Sequence, residues 1–549
     1  MKELDAISLG VLWDRLIAIA NETVEVLVRT SFSSIVRENY DLACLLFDGE
    51  GRLLTQGVLG QPVFIGTGPQ TLQHMLRRYP RETLQPGDVI FTNDAWKGTG
   101  HLWDVNVMSP VFNKGKVVGY SLSISHLPDI GGHGMNAESA EIYEEGLQVP
   151  ICKLVSAGQP NEALLEIIRS NVRVNEQVVG DIMANVACTQ VGARLMLELM
   201  EEYGLDDLQE LSDGIVGRTE KGMRDAIRGI PDGSYSHSIK VEAFTEPVTL
   251  SCRIDVSGEK LNVDFSGTSK QLRAGINVPI CYTRAMTVYA LKCLLLPDLP
   301  NNQGSVDPVD LSAPEGCILN AQLPAATGAR LLVGHFIVPL IFGAMADALP
   351  DAVQANPGML NALNMVGTAP DGRAFSTLFF ASGALGAMRG LDGHSATPAP
   401  SSMMTMPVET WETLTGVTIT GRRLRPDSGG AGEWRGGLGQ EVVLQNDTSN
   451  PVYVSIMGSR TEFPALGFHG GRNGGKRAFV LNGKVVHPKG RYQLGMGDTL
   501  AIHDAGGGGY GDPARRDPKK LMDDMAEGFV SAEGAARDYG FETLPAAAQ

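Results

Sequence analysis

Residues 105–125, VNVMSPVFNKGKVVGYSLSIS, decide how the chain's first sheet is built. Two strand-like runs, VNVMSPVF from Val105 and KVVGYSLSIS from Lys116, flank Asn113-Lys114-Gly115, a short turn with glycine, so they read as an antiparallel hairpin. A three-residue loop pairs Phe112 with Lys116. Counting back sets Asp104 opposite Ile124 and Leu102 opposite His126. Alternation then places Asp104 on the same face as Ile124 and His126. The hairpin thus gathers His101, Asp104 and His126 at one end of one sheet, although they lie up to 25 residues apart. A register slip of one residue would turn Asp104 to the other face.

The residues around this hairpin carry chemistry. Three of the ten histidines (His101, His126, His133) fall here, among Asp94, Asp104 and Asp129. Imidazoles and carboxylates at this density suit a first-row divalent metal. An isolated HxxD, such as His101–Asp104, is weak, because its histidine is commonly a surface or helix-cap residue. His126 at a hairpin-matched position strengthens it. Beyond His126, Gly131, Gly132 and Gly134 allow a loop to bend around an ion or substrate.

Outward from the hairpin, Leu9, Leu12, Leu16, Ile19, Thr23 and Leu27 lie at helical spacing. DLACLLFDGEGRLLTQ (Asp41–Gln56) reads as a second hairpin turning at Asp48–Gly51. Helical patterns fill roughly 161–230, with Gly204 and Pro231 as stop signals. From Ser234 the pattern alternates, which predicts antiparallel strands, and helices follow in TRAMTVYALKCLLL and near HFIVPLIFGAMADAL. After about Glu412 the chain is rich in glycine and short strands, and DPKKLMDDMAEGFVSAEGAARDYG predicts one closing surface helix. The expected architecture is mixed α/β (α+β) and multi-domain, with mostly antiparallel sheets. Its regions are a metal-bearing 1–230, an α/β 231–411 and a β-rich 412–549 ending in a helix.

Composition narrows the function. Of 549 residues, 43% are hydrophobic and 19% charged, a globular balance, and the net charge of −17 speaks against nucleic acid, whose phosphates need Lys and Arg. The seven cysteines show no CxxC spacing, so neither a thiolate zinc site nor a disulfide framework is indicated. The first residues have acids where a signal peptide has bases, and the most apolar run, from Leu331, is too short to span a bilayer. The expectation is a soluble cytoplasmic protein with no membrane or nucleic-acid partner. GGRNGGK (Gly470–Lys476) fits GxxxxGK but is followed by Arg477 and leads into a strand; DGEG at Asp48 is explained by a plain turn, and GGGGYGDP offers no lysine. Any ATP site is therefore expected on another chain. The acidic run Glu138, Glu141, Glu144 and Glu145 reads as a solvated helix start.

Six separated runs, FSSIVRENYDLACLLFDGEGRLLTQG, TNDAWKGTGHLWDV, HLPDIGGHG, EIYEEGLQVP, GGAGEWRGGLG and GGGGYGDPARRDP, resemble the hydantoinase B / 5-oxoprolinase family, in order and over nearly the whole chain. The resemblance implies a subunit of an ATP-dependent enzyme: an N-methylhydantoinase, a 5-oxoprolinase, a caprolactamase-type lactam hydrolase, or an acetone or acetophenone carboxylase. It implies a hydantoinase A-type partner that holds ATP and Mg, in a hetero-oligomer such as α2β2. It also implies that Asp41 joins His101, Asp104 and His126 as a metal ligand; on the sequence alone Asp41 reads as a strand-start residue. Trp103 departs from the family's usual proline, which implies a reshaped pocket wall with the ligands kept. Asp129 and His133 are next: orienters of a ligand histidine, an acid/base pair, or makers of loop hydrogen bonds. Zinc, manganese or iron all suit two imidazoles and two carboxylates. The leading expectation is a cyclic-amide hydrolase (EC 3.5.2 type) acting on a carbonyl phosphorylated at the partner. A ketone carboxylase subunit is second, and a non-catalytic scaffold for the ATP subunit third.

Overall fold

A computed structural model describes residues 5–541. They divide into two compact units. The first runs to Tyr235 and takes in Ser251–Ile337 and Ser376–Leu378; the second holds Ser236–Leu250, Val338–Phe375 and the residues from Phe379 on. Both mix helices with mostly antiparallel sheets.

The first unit is built on a seven-stranded antiparallel sheet. Its strands are β1 (Leu42–Asp48), β2 (Leu53–Gln56), β3 (Val89–Thr92), β4 (Asp104–Asn113), β5 (Lys116–His126), β6 (Cys152–Ser156) and β7 (Gln159–Pro160), in the order β2-β1-β5-β4-β3-β6-β7. Helices cover both faces, so β1 is buried throughout and reads as an unbroken apolar run instead of an alternating one. Helix α1 (Ala6–Thr30) starts from an Asp5 cap and sets Leu12, Leu16, Ile19 and Ala20 against Leu46, Leu54, Val111 and Val118. Helix α2 (Ser34–Arg37) leads into β1, and α3 (Phe64–Arg78) lies across the opposite face, where Gly68 passes Leu45 too closely for a side chain. The helical region resolves into α4 (Glu162–Asn171), α5 (Asn175–Tyr203) and α6 (Gln209–Arg228), and Gly204 ends α5 at φ +65° as its position as a stop signal requires. Helix α5 approaches the sheet closely because β4 and β5 present small hydroxyl side chains to it. Ser109 meets Thr189 at 2.9 Å, and Asn185 donates to Ser125 at 2.8 Å. The even-numbered residues of β4 and those of β5 from Tyr120 on, Asp104 and His126 among them, therefore face away from α5. Helix α7 (Ile280–Leu295) packs against α3, whose Gly66 abuts Ala285.

The β4–β5 register differs from the three-residue-loop count. The turn has two residues, Lys114 and Gly115, both at positive φ, and Asn113 pairs with Lys116. This alone would shift the register by one and send His126 to the wrong face. A bulge corrects the parity: Phe112 pairs with Val117 but Val111 with Gly119, leaving Val118 as the extra residue. Asp104 consequently pairs directly with His126, not Ile124.

In the second unit, Leu360–Thr368, Val452–Met457 and Arg491–Leu494 form one antiparallel array. Val417–Leu424, Gln440–Asn446, Thr499–His503, Ala478–Leu481 and Lys484–Val485 form another. Leu363, Val454, Trp411, Val442, Leu444, Phe479 and Ile502 share one core. The glycine-rich runs pack backbone on backbone: Gly430 N–H donates to the Gly507 carbonyl at 2.8 Å, and Gly507 N–H to Gly437 at 3.0 Å. The single closing helix is in fact two, Pro518–Ala526 and Ala532–Tyr539, because Gly528 adopts φ +72° and ends the first. Among the described residues no helix is long and apolar enough to cross a membrane.

Two glycines should respond oppositely to alanine. A Cβ on Gly506 would lie 1.7 Å from the Ser428 carbonyl oxygen, whereas one on Gly217, within α6, meets nothing within 4 Å. Gly506→Ala is expected to destabilise by more than about 3 kcal/mol through backbone overlap. Gly217→Ala is expected to stabilise by about 0.5–1 kcal/mol through helix propensity. Denaturant titration of both variants checks this.

Candidate metal centre

The loop before β4 is wound by its own polar side chains. Asn93 donates to the carbonyls of Leu102 (2.8 Å) and Leu147 (2.9 Å) and accepts the Val149 N–H. Asp94 accepts from the N–H groups of Trp96 and Lys97. These bonds deliver His101 to the start of β4, beside Asp104 and opposite the end of β5. One ligand atom each from His101, Asp104 and His126 then lies within 4.8 Å of the others, and all three residues are buried. Asp41 flanks this group: its carbonyl accepts the His126 N–H at 3.0 Å, and it precedes β1, whose Leu42 pairs with Ser125.

The hydrogen bonds leave the inward-facing atoms without partners. His126 Nδ1 sits 2.8 Å from the Leu127 carbonyl, which requires a proton on Nδ1 and leaves a lone pair on Nε2. His101 Nδ1 faces the Gly328 carbonyl at 3.5 Å. Asp104 Oδ2 accepts from Thr99 Oγ1 (2.6 Å) and from Arg330 Nη2 (2.9 Å). What remains is His101 Nε2, His126 Nε2 and Asp104 Oδ1, all buried and all without a hydrogen bond. His101 Nε2 is only 2.9 Å from Asp104 Oδ2. Buried polar atoms left in this state are costly. Nitrogen and oxygen donors oriented from behind by carbonyls are what a zinc, manganese or iron ion requires, so the residues fit a divalent metal.

Burial and neighbouring charges agree with the geometry. Burial lowers the His101 pKa and pulls His126 down to about 3, so both imidazoles are neutral, as ligands must be. Burial works to raise Asp104, but His101 and Arg330 together hold it below the usual carboxylate range. Burial, followed by the charge of Asp104, pushes Asp41 well above that range.

Three contributors were not legible in the sequence. Arg330 is buried, donates from Nε to the Thr99 carbonyl at 2.8 Å, and stacks over the Tyr282 ring at 4.2 Å. Thr99 supports Asp104. Glu145, read as part of a solvated helix start, is instead fully buried beside a single 3-10 turn, Ile142–Glu144. It accepts the N–H groups of Thr327 (2.9 Å) and Gly328 (2.6 Å), the loop that carries both Arg330 and the carbonyl facing His101. The glutamates around it hide this role, because Glu138 is exposed and Glu144 only partly covered. Trp103 lines the wall: its ring lies 5.8 Å from His101 and against Gly328. Asp129 is buried and clasped by Arg173, through the backbone N–H at 2.5 Å and the guanidinium at 2.6 Å. His133 is exposed, 3.9 Å from Glu144.

The profile of the Hydantoinase B/oxoprolinase family matches residues 5–513. The chain belongs to this family. It is 30% identical over 572 residues to a protein of Pseudomonas sp. (strain NS671), provisionally named as the B-type subunit of a D-/L-hydantoinase, covering 98% of this chain and 95% of that one. The ATP-dependent caprolactamase from Pseudomonas jessenii superposes with a TM-score of 0.91 at 26% identity, over 99% of this chain and 97% of that one. An acetone carboxylase, in its nucleotide-free structure, shares the fold, with a TM-score of 0.87 at 19% identity over 98% and 80%.

Two buried groups near Arg330 give the metal-free protein a two-sided pH dependence. Burial lowers His335 to about 3, below its ordinary 6.5. Its contribution to stability is full above pH 6.5 and is lost as pH falls toward 3, because the unfolded chain takes the proton first. Burial raises Glu145 to about 8 from 4.5, so its contribution is full below pH 4.5 and is lost as pH rises through 8. Glu145→Gln is expected to flatten the alkaline limb and keep the acid one, read as denaturation midpoints from pH 4 to 9. An alkaline limb unchanged in the variant would count against this assignment.

Proposed function

We propose that the chain is the metal-containing subunit of an ATP-dependent cyclic-amide hydrolase, acting on a carbonyl activated by phosphorylation at a partner subunit. The observation that carries this reading is the trio of buried, unpartnered ligand atoms on His101, Asp104 and His126. The names of the relatives, a hydantoinase B-type subunit and an ATP-dependent caprolactamase, support the substrate class and the need for a partner.

Amide resonance makes a lactam or hydantoin carbonyl a poor electrophile. Phosphorylation of its oxygen, at the hydantoinase A-type subunit that holds ATP and Mg, removes that resistance. Water then adds to the carbon, the ring nitrogen takes a proton as the C–N bond breaks, and the acyl phosphate left behind is hydrolysed to carboxylate and phosphate. His101, Asp104 and His126, with Asp41 as a fourth ligand, would hold a divalent metal, which supplies a water of lowered pKa and polarises an oxygen. Leu127 and Gly328 carbonyls keep both imidazoles in the ligand tautomer, and Thr99 and Arg330 keep Asp104 turned inward. Asp129 and His133 are assigned the shape of the neighbouring loop.

About one transition metal per chain is expected in purified protein, by elemental analysis, for a single four-ligand site. His101→Ala with His126→Ala should lower metal content to near zero and activity more than about 100-fold while leaving partner binding intact. Folded, active protein without metal contradicts the reading, and retained activity in the double variant favours a scaffold. The reconstituted complex is then given ATP with hydantoins or lactams, or with ketones and bicarbonate. Turnover of ketones alone would reassign the chain to the carboxylases.

A further inference from the structure

We infer that Arg330 forms an oxyanion subsite beside the metal centre, and that it holds the phosphoryl group of the activated carbonyl. The inference rests on the hydrolase reading and names the part of the substrate that the site recognises.

The guanidinium is fixed before any ligand arrives. Nε is bonded to the Thr99 carbonyl, Nη2 to Asp104 Oδ2, and its plane lies over Tyr282. Gly100, at φ +95°, leaves room for this: a Cβ there would come within 2.9 Å of both Arg330 and the Tyr282 side chain. Nη1 is the one guanidinium nitrogen with no bond among the described residues. A side chain only 7% exposed and held over a ring loses little further entropy on binding. Because Nη2 is bonded to Asp104, an oxygen held at Nη1 would share its guanidinium with that carboxylate.

Donor chemistry points the same way. The guanidinium already holds one carboxylate through Nη2 and keeps Nη1 for a second oxygen. A neutral lactam offers one carbonyl oxygen, whereas its O-phosphorylated form offers anionic phosphoryl oxygens. Arginine matches phosphate oxygens with parallel N–H donors, which lysine does not reproduce.

The test is calorimetric titration of inorganic phosphate into the manganese-loaded full chain, with metal content measured on the same sample. Wild type should bind phosphate, and Arg330→Lys and Arg330→Met should weaken it by about tenfold or more at unchanged metal content. Phosphorus relaxation by manganese should place the bound phosphate beside the metal. Equal affinity in the variants, or no binding by metal-loaded wild type, overturns the inference and leaves the hydrolase reading standing. A chain without metal defeats that reading itself. If either substitution costs the metal, Tyr282→Leu decides, since it removes the stacking plane and keeps the partner of Asp104. Unchanged phosphate affinity there overturns the subsite. Bicarbonate bound more tightly than phosphate overturns the phosphoryl assignment in favour of a carboxylate.

Discussion

A β-hairpin has only two parities, and the site depends on which one β4 and β5 adopt. Side chains alternate faces, so a one-residue change in register exchanges every inward group for its neighbour. The two-residue Lys114-Gly115 turn would by itself put His126 on the face that packs against α5, where small serines leave no room for an imidazole. Val118 restores the parity as a bulge, and its side chain is used in the core beneath α1. The hydrophobic contact that stabilises the bulge and the placement of a ligand histidine are therefore one event.

Such a cluster could serve as a structural ion pair, and its bonding pattern argues against that. One bare buried oxygen does not by itself mark a ligand site. In the second unit Arg477 directs its donors to Asp504 and to the carbonyls of Ser459, Gly358 and Met359, while Asn361 reaches the same carboxylate, yet Asp504 Oδ2 and Asn361 Oδ1 are left bare there too. Around Asp104 three residues with such an atom, two of them histidines, bring a ligand atom each within 4.8 Å of the others. Each side chain is oriented from behind by a carbonyl, a hydroxyl or a guanidinium, and the atom facing its neighbours is left bare. Atoms buried bare in this way are what a bound ligand would satisfy.

Much of this was legible in the sequence. The helices at 7–29 and 161–230, the hairpin at Asp41–Gln56 and the alternating strands after Ser234 all carry strong periodicity, and each forms. The association of His101, Asp104 and His126 was readable because parity survives a register error of two. The register was missed because it was counted from the turn, and the mark of the bulge, Gly119 inside β5, lies four residues beyond it. Arg330 and Glu145 were hidden for a different reason. Arg330 follows a loop more than 200 residues from Asp104, and Glu145 looks like its solvated neighbours until the loop it clasps is seen. Tertiary hydrogen bonds give these residues their roles, and local patterns do not encode them.

The glycine-rich runs show how the same composition can serve opposite ends. A phosphate-binding loop keeps its N–H groups free and aimed at one point. Here they are bonded within the second unit: Gly436 donates to the Gly430 carbonyl, Gly474 to Ala465, Gly475 to Ser428 and Gly506 to Gly475. GGRNGGK leads into the strand Ala478–Leu481, so no helix N-terminus stands ready for a phosphate. The glycines are there because backbones meet backbones at distances no Cβ tolerates. These runs therefore offer no phosphate-binding loop, and free polar atoms gather elsewhere in the chain, on His101, Asp104, His126 and Arg330.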